Sequence, residues 1–335
     1  MPDLTLTKQL DGHRVVTESI YAQITQMRVG EPKSILRLMQ ARKQRTAFAA
    51  DGRLNIIAAD HPARRVTGAG NSPTAFLCRR DLLNRLVSIL AAGAADGVMA
   101  TMDILEELVI LDELLAVNGG KGKEQHEPGA GGLPSPGRFT EEKLFIASLN
   151  RGGLKGTSWE LDDPVTGPGA EALRQMNIDG GKLLLRICDA DDRTLRTIES
   201  CRQAISGMSA CDLPIFIEPL PVMRDNGKLK VVREPAAIAA AACVASALGD
   251  SSRYLWLKLP ICEQFELAAQ ATTLPILLLG GEASHDRDRF LSDLKYGLES
   301  GSNVRGTMIG RNVLFSDSPL ATAKAVHSLV HGGPN

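Results

Sequence analysis

The chain has 335 residues, with 38 Lys+Arg against 39 Asp+Glu and a formal net charge of −1, which excludes the basic surplus of a nucleic-acid binder or of a protein drawn to anionic membranes. With 44% hydrophobic and 23% charged residues the composition is that of an ordinary globular protein, and the length fits two average domains or one large α/β barrel. Cys78, Cys188, Cys201, Cys211, Cys243 and Cys262 form no CxxC pair, which argues against a zinc knuckle or disulfide framework and for a reducing compartment. No signal-type apolar core and no apolar run of about 20 residues is present, so a cytoplasmic protein is expected.

Residues 1–53 contain no strand-like run; 19–27 and 33–42 read as helices, a helical N-terminal extension too small to bury a core alone. From 54 to 335 a rhythm follows. Apolar runs at 54–59, 97–101, 143–149, 182–187, 213–217, 254–259, 275–279 and 306–309 read as strands. Helical patterns follow them at 81–92, 106–117, 170–176, 193–205, 235–248, 262–271, 288–299 and 320–330. Strands alternating with helices mean a parallel sheet, and eight such units close a (β/α)8 TIM barrel. The alternative is a doubly wound open sheet, which usually has a Gly-rich turn after its first strand. Here that strand ends in Ala59-Asp60-His61-Pro62. The Gly/Pro-rich segment 119–138 interrupts the rhythm between a helix and a strand, and reads as a surface loop away from the chemistry.

In a barrel the C-terminal strand ends form the active site. They carry Asp60, Asp103, Asn150-Arg151, Arg186, Glu218, Lys258, Gly280-Gly281 and Gly310-Arg311, in that order, with Lys182 deeper on the face of Arg186. In Tyr254–Pro260 the leucines at 255, 257 and 259 take one side of a strand and leave Trp256 and Lys258 on the other. Each polar residue alone has an ordinary structural reading, as a turn cap, an ion-pair partner or a snorkelling lysine. Together they place more charge at one mouth than stability calls for. The glycines of the last two strands, with Arg311, stand where this fold commonly binds phosphate. An anchored phosphate and a lysine amine aimed at a carbonyl make Schiff-base chemistry, with Asp60 and Glu218 as acid/base and orienting groups beside Lys182. Asp103, Arg151 and Arg186 are candidate substrate contacts. His13, His61, His126, His285, His327 and His331 are dispersed, so neither a metal nor another cofactor is expected.

From 55 to 315 the chain resembles the class I (Schiff-base) (β/α)8 aldolases of the DhnA/LacD type. The resemblance lies in Ala-Ala-Asp60, Gly-Gly-Lys182-Leu-Leu-Leu, Ile-Glu218, Leu-Lys258 and Gly310-Arg-Asn-Val-Leu-Phe. It implies that Lys258 is the Schiff-base lysine, supported by Asp60, Lys182 and Glu218. It also implies that Gly280, Gly281, Gly310 and Arg311 hold phosphate. Two further stretches, 100–108 (ATMDILEEL) and 150–163 (NRGGLKGTSWELDD), are similar to a branch found in bacterial inositol-catabolism gene clusters. That branch implies cleavage of a phosphorylated deoxyketo-gluconate to dihydroxyacetone phosphate and malonate semialdehyde. Two positions depart from the pattern: Arg186 stands where relatives often have a tyrosine pair, and His61 replaces a usual glutamine. The extra cation suits a substrate bearing a carboxylate. The loop at 150–169 reads as a lid or a substrate wall. A phosphorylated sugar or sugar acid is the expected partner, with no nucleic acid or membrane, in a homo-oligomer. Other sugar-phosphate Schiff-base enzymes, or a non-catalytic sugar-phosphate-binding barrel, are the alternatives.

Overall fold

Alternation along each strand decides what its two faces meet, and it divides the apolar residues into two layers. The computed structural model describes residues 15–121, 138–281 and 286–332. Helices α1 (Glu18–Gly30) and α2 (Pro32–Ala41) precede strand β1 (Leu54–Ala58). The units that follow are α3 (Arg79–Ala91), β2 (Gly97–Ala100), α4 (Met102–Lys121), β3 (Leu144–Ser148), α5 (Ala170–Gln175), β4 (Gly180–Ile187) and α6 (Arg193–Ala210). Next come β5 (Ile215–Asp225), β6 (Lys228–Val231), α7 (Pro235–Ser246), β7 (Leu255–Pro260), α8 (Glu266–Gln270) and β8 (Ile276–Leu279). The chain ends with α9 (Arg287–Glu299), β9 (Val304–Ile309), α10 (Arg311–Leu314) and α11 (Pro319–His331). Strands β1 to β5 and β7 to β9 pair in parallel around a closed ring, while β6 turns back antiparallel on the long outer end of β5. The protein is therefore an eight-stranded parallel barrel with helices outside it, as the apolar spacing predicts.

Leu54, Ile56, Met99, Leu144, Ile146, Phe216, Leu277 and Met308 fill the barrel interior. Their neighbours in sequence, such as Ile57, Leu183, Ile217 and the three leucines Leu255, Leu257 and Leu259, face the helices. Below the mouth, Phe48, Phe216 and Trp256 pack with ring centroids 5.7–6.2 Å apart. Phe48 comes from the segment after α2, so the N-terminal region helps to close the barrel floor. That region is anchored by polar contacts: Thr17 caps α1, the Val16 N–H donates to Asn84 at 2.8 Å, and buried Arg42 pairs with Asp179 at 2.6 Å. Among the described residues no helix is long and apolar enough to cross a membrane. Most of the segment 119–138 lies outside the described residues; α4 runs to Lys121.

The seam between first and last strands depends on one glycine. Gly306 sits opposite Leu54 with φ +130, and a Cβ there would lie 1.9 Å from the Leu54 carbonyl oxygen. A side chain would force β9 away from β1 and strain the backbone as well. Gly306→Ala is expected to lower the unfolding free energy by about 2–4 kcal/mol in urea denaturation. A change below about 0.5 kcal/mol would show that the seam tolerates the methyl group.

Candidate active site

Three neighbouring strands bring the charged centre together. The register of β5 with β7 sets Phe216 beside Trp256, so two residues further on Glu218 stands beside Lys258. On the other side of β5, Leu184 is level with Glu218, which puts Lys182 one inward-facing position lower on β4. One carboxylate oxygen, Glu218 Oε2, lies 2.6 Å from Lys182 Nζ and 2.9 Å from Lys258 Nζ. Asp60, just past β1, completes the group: its Oδ2 accepts from Ser148 Oγ at 2.9 Å and lies 3.8 Å from Lys182 Nζ. All four side chains are buried, with Lys258 at 8% and Lys182 at 2% side-chain exposure, so Lys258 reaches nearer to the open mouth.

Burial acts on Glu218, Asp60 and Lys182, and the neighbours decide what remains. For Glu218 burial pushes the pKa up, but the Lys182 and Lys258 ammoniums outweigh it and hold the carboxyl at about 2. For Asp60 burial acts upward too, and Lys182, Arg64 and other nearby cations hold it well below the usual carboxylate range. Burial lowers Lys182 to about 8 although Glu218 and Asp60 both favour its charged form. Burial also lowers His61 to about 3, helped by Arg311 and opposed by Asp60, so the imidazole is neutral at physiological pH. It stacks on Phe76 with centroids 4.8 Å apart. The result is two ionised carboxylates and one destabilised ammonium, all largely buried, an arrangement suited to moving protons.

The centre opens into a cavity of about 490 Å³, lined by Asp60, His61, Lys182, Arg186, Glu218, Lys258, Gly280, Gly281, Gly310 and Arg311 among others. These expected site residues thus share one space. Gly281 has φ +68 and lines the cavity, and among the described residues a Cβ there would have nothing nearer than Arg233 Nη2 at 3.6 Å. Gly310 answers a packing need as well: a Cβ would come within 2.3 Å of the Ala58 carbonyl oxygen and 2.4 Å of His61. Two expected substrate contacts do not line the cavity. Asp103 lies at the start of α4, because the helix begins at Met102 rather than at Glu106; its carboxylate accepts from Thr101 and pairs with Arg79 at 2.7 Å. Arg151 turns along its own loop and donates to the Thr166 carbonyl at 3.2 Å.

A family model described as Cgl0159-like matches residues 52–117 and 138–330. The chain belongs to the Cgl0159-like family. The crystal structure of Cgl0159 from Corynebacterium glutamicum has a TM-score of 0.84 and 31% identity, covering 96% of this chain and 100% of that one. An archaeal fructose 1,6-bisphosphate aldolase shares the fold with a TM-score of 0.57 at 20% identity, over 89% of this chain and 100% of its own. Local sequence similarity reaches 2-amino-3,7-dideoxy-D-threo-hept-6-ulosonate synthase 1 of Archaeoglobus fulgidus, 34% identical over 76 residues, which is 23% of this chain and 28% of that protein. It also reaches an uncharacterised aldolase of Saccharolobus solfataricus, 30% identical over 122 residues, which is 36% of this chain and 42% of that protein. The chain therefore spans less than half the length of these curated relatives.

In this Cgl0159-like chain the site also uses residues that the strand ends do not reveal. Arg64, buried in the turn after Asp60, lies 3.3 Å from Asp60 Oδ2 and 2.9 Å from Asp163 Oδ2, and donates to the Asn150 carbonyl. Arg186 approaches Glu160 at 3.4 Å and Asp163 at 3.6 Å. These two arginines fix the loop from 150 to 169 as a wall of the cavity, tied directly to Asp60. The β5–β6 hairpin adds Lys230 to the lining, and the segment just after it adds Arg233. Its sequence signal is Asn226-Gly227, the two-residue turn in which both residues take positive φ, 49 and 76 here.

Proposed function

We propose that the chain is a class I aldolase acting on a phosphorylated ketose or keto-sugar acid through a Schiff base on Lys258. The observation that supports this most directly is the sharing of Glu218 Oε2 by Lys258 at 2.9 Å and Lys182 at 2.6 Å beneath an open cavity. A purely structural ion pair needs one cation, and a second buried ammonium is costly without a chemical use. In the proposed reaction Lys258 first gives up its ammonium proton to water, its neutral amine adds to the substrate carbonyl, and the carbinolamine loses water to give an iminium. A carboxylate of the site takes the proton of the hydroxyl beta to the iminium carbon, and the C–C bond breaks. The bonding pair passes into the iminium to form an enamine, an aldehyde leaves, and reprotonation and hydrolysis free the ketone and Lys258.

As the specific substrate we propose 5-dehydro-2-deoxy-phosphogluconate, giving dihydroxyacetone phosphate and malonate semialdehyde. The likeness of 100–108 and 150–163 to the inositol-catabolism branch supports this reading, as does Arg186 in the cavity wall. The test is borohydride reduction in the presence of dihydroxyacetone phosphate, followed by digestion and mass spectrometry. A reduced adduct on the peptide containing Lys258 is expected, and an unmodified peptide at saturating ligand sinks the aldolase reading. Condensation with malonate semialdehyde is then expected to exceed that with glyceraldehyde 3-phosphate by at least about tenfold, roughly 1.4 kcal/mol of discrimination. Equal rates would remove the specific substrate and leave the aldolase.

A further inference from the structure

Away from the mouth, three potential ligands meet at the opposite end of the barrel. His327 and His331 lie one turn apart on α11, and buried Asp96 stands immediately before β2; one donor atom from each falls within 4.8 Å of the others. We propose that this cluster is a binding site for a transition-metal ion of the zinc class, tying the C-terminal helix to the segments that lead into β1 and β2.

Histidines four apart on a helix present their rings on the same side, a spacing suited to a shared ion. Their ring centroids here are 4.5 Å apart. The two nitrogens of His331 have different partners. Nε2 lies 2.9 Å from Asp96 Oδ2, while Nδ1 lies 2.6 Å from Asp51 Oδ2. That is the pattern of a metal-binding histidine, with one nitrogen toward the shared ligand position and the other held by an outer carboxylate that fixes the ring. Two ligands on a tetrahedral zinc are about 3.4 Å apart, so Nε2 and Asp96 need to separate by less than an ångström to admit the ion. His327 supplies the independent sign of an unfilled role: its Nδ1 is shut off from solvent and has no hydrogen-bond partner among the described residues.

Competing contacts are modest. Asp96 Oδ2 also accepts the Asn55 N–H at 2.7 Å, and Arg45 lies 3.2 Å from Oδ1, which leaves further acceptor positions on the carboxylate. Two imidazoles and one carboxylate favour Zn²⁺ or Co²⁺ over Mg²⁺ or Ca²⁺, and water completes the shell. The ligands lie at the N-terminal ends of the strands, the face of a barrel that serves stability, so the ion is separate from the proposed Schiff-base chemistry.

The experiment uses tag-free, full-length protein stripped with a chelator and titrated with Co²⁺, followed by visible absorption and thermal melting. One equivalent per chain is expected to bind with the intense d–d bands of a low-coordinate site and to raise Tm. His327→Gln should weaken Co²⁺ binding by more than about tenfold, and Asp51→Asn by about 10–100-fold through loss of the outer carboxylate. Far-UV circular dichroism of both metal-free variants verifies folding, and borohydride trapping at Lys258 should be unaffected. Absence of saturable binding by the folded parent, or binding unchanged in folded His327→Gln, overturns the site.

Discussion

Lys258→Met is expected to remove the borohydride-trapped adduct altogether and to lower aldol turnover on the order of 10⁴-fold or more, as loss of a covalent nucleophile does elsewhere. The fold should survive, because methionine preserves most of the lysine stem and Glu218 keeps Lys182 at 2.6 Å. Lys182 is a poor substitute nucleophile. It is nearly inaccessible, at 2% side-chain exposure against 8% for Lys258, and it is engaged with both Glu218 and Asp60. Mass spectrometry after reduction, with dihydroxyacetone phosphate as the trapping ligand, therefore distinguishes the two amines. An adduct that persists in Lys258→Met and maps to Lys182 would reverse their assigned roles. Turnover within tenfold of the parent would exclude Schiff-base chemistry at Lys258.

The barrel was legible because its strands are buried on both faces, and such strands appear in sequence as dense apolar runs. The orientation of Lys258 was legible for a related reason: three leucines at alternate positions require one side of β7 for the helices, and Lys258 has to take the other. The β5–β6 hairpin left only a short apolar trace, Leu220 and Val222 facing Leu229. Lys228, Lys230 and Val231 are exposed, so the Asn226-Gly227 turn is its clearest mark. Arg64 was hidden for a different reason. Its role depends on Asp163, 99 residues away, and no local pattern records that pairing. Asp103 shows the limit of reading strand ends as site residues: a helix that starts one residue after a buried threonine captured the carboxylate for its own first turn. Similarly, His327 and His331 look dispersed until the fold brings Asp96 beneath them.

Glu218→Gln tests the centre from the acidic side. The amide retains the shape of the carboxylate but removes the charge that Lys182 and Lys258 both contact, leaving two buried lysines beside Arg64 with Asp60 as the remaining anion of the group. Breaking such a pair on one side is expected to lower stability by about 3–5 kcal/mol near neutral pH. The pH dependence identifies the cause. Glu218 is depressed from 4.5 to about 2 in the folded protein, so its stabilisation is complete above about 4.5 and is lost as pH falls toward 2. Lys182 is depressed from 10.5 to about 8, so keeping it charged opposes folding below about 8, and that opposition eases as pH rises toward 10.5. Without Glu218 the ammonium loses its largest support and discharges at lower pH, which narrows the variant's deficit on the alkaline side. Urea unfolding across pH should therefore show a deficit that is greatest between the acidic and alkaline transitions. A deficit constant at all pH values would mean that the amide disrupts packing rather than charge. If Glu218 is the acid/base group of the proposed reaction, turnover should fall by about 10²–10⁴-fold. Because Lys258 remains, a reducible adduct should still form, which would put the proposed contribution of Glu218 after imine formation.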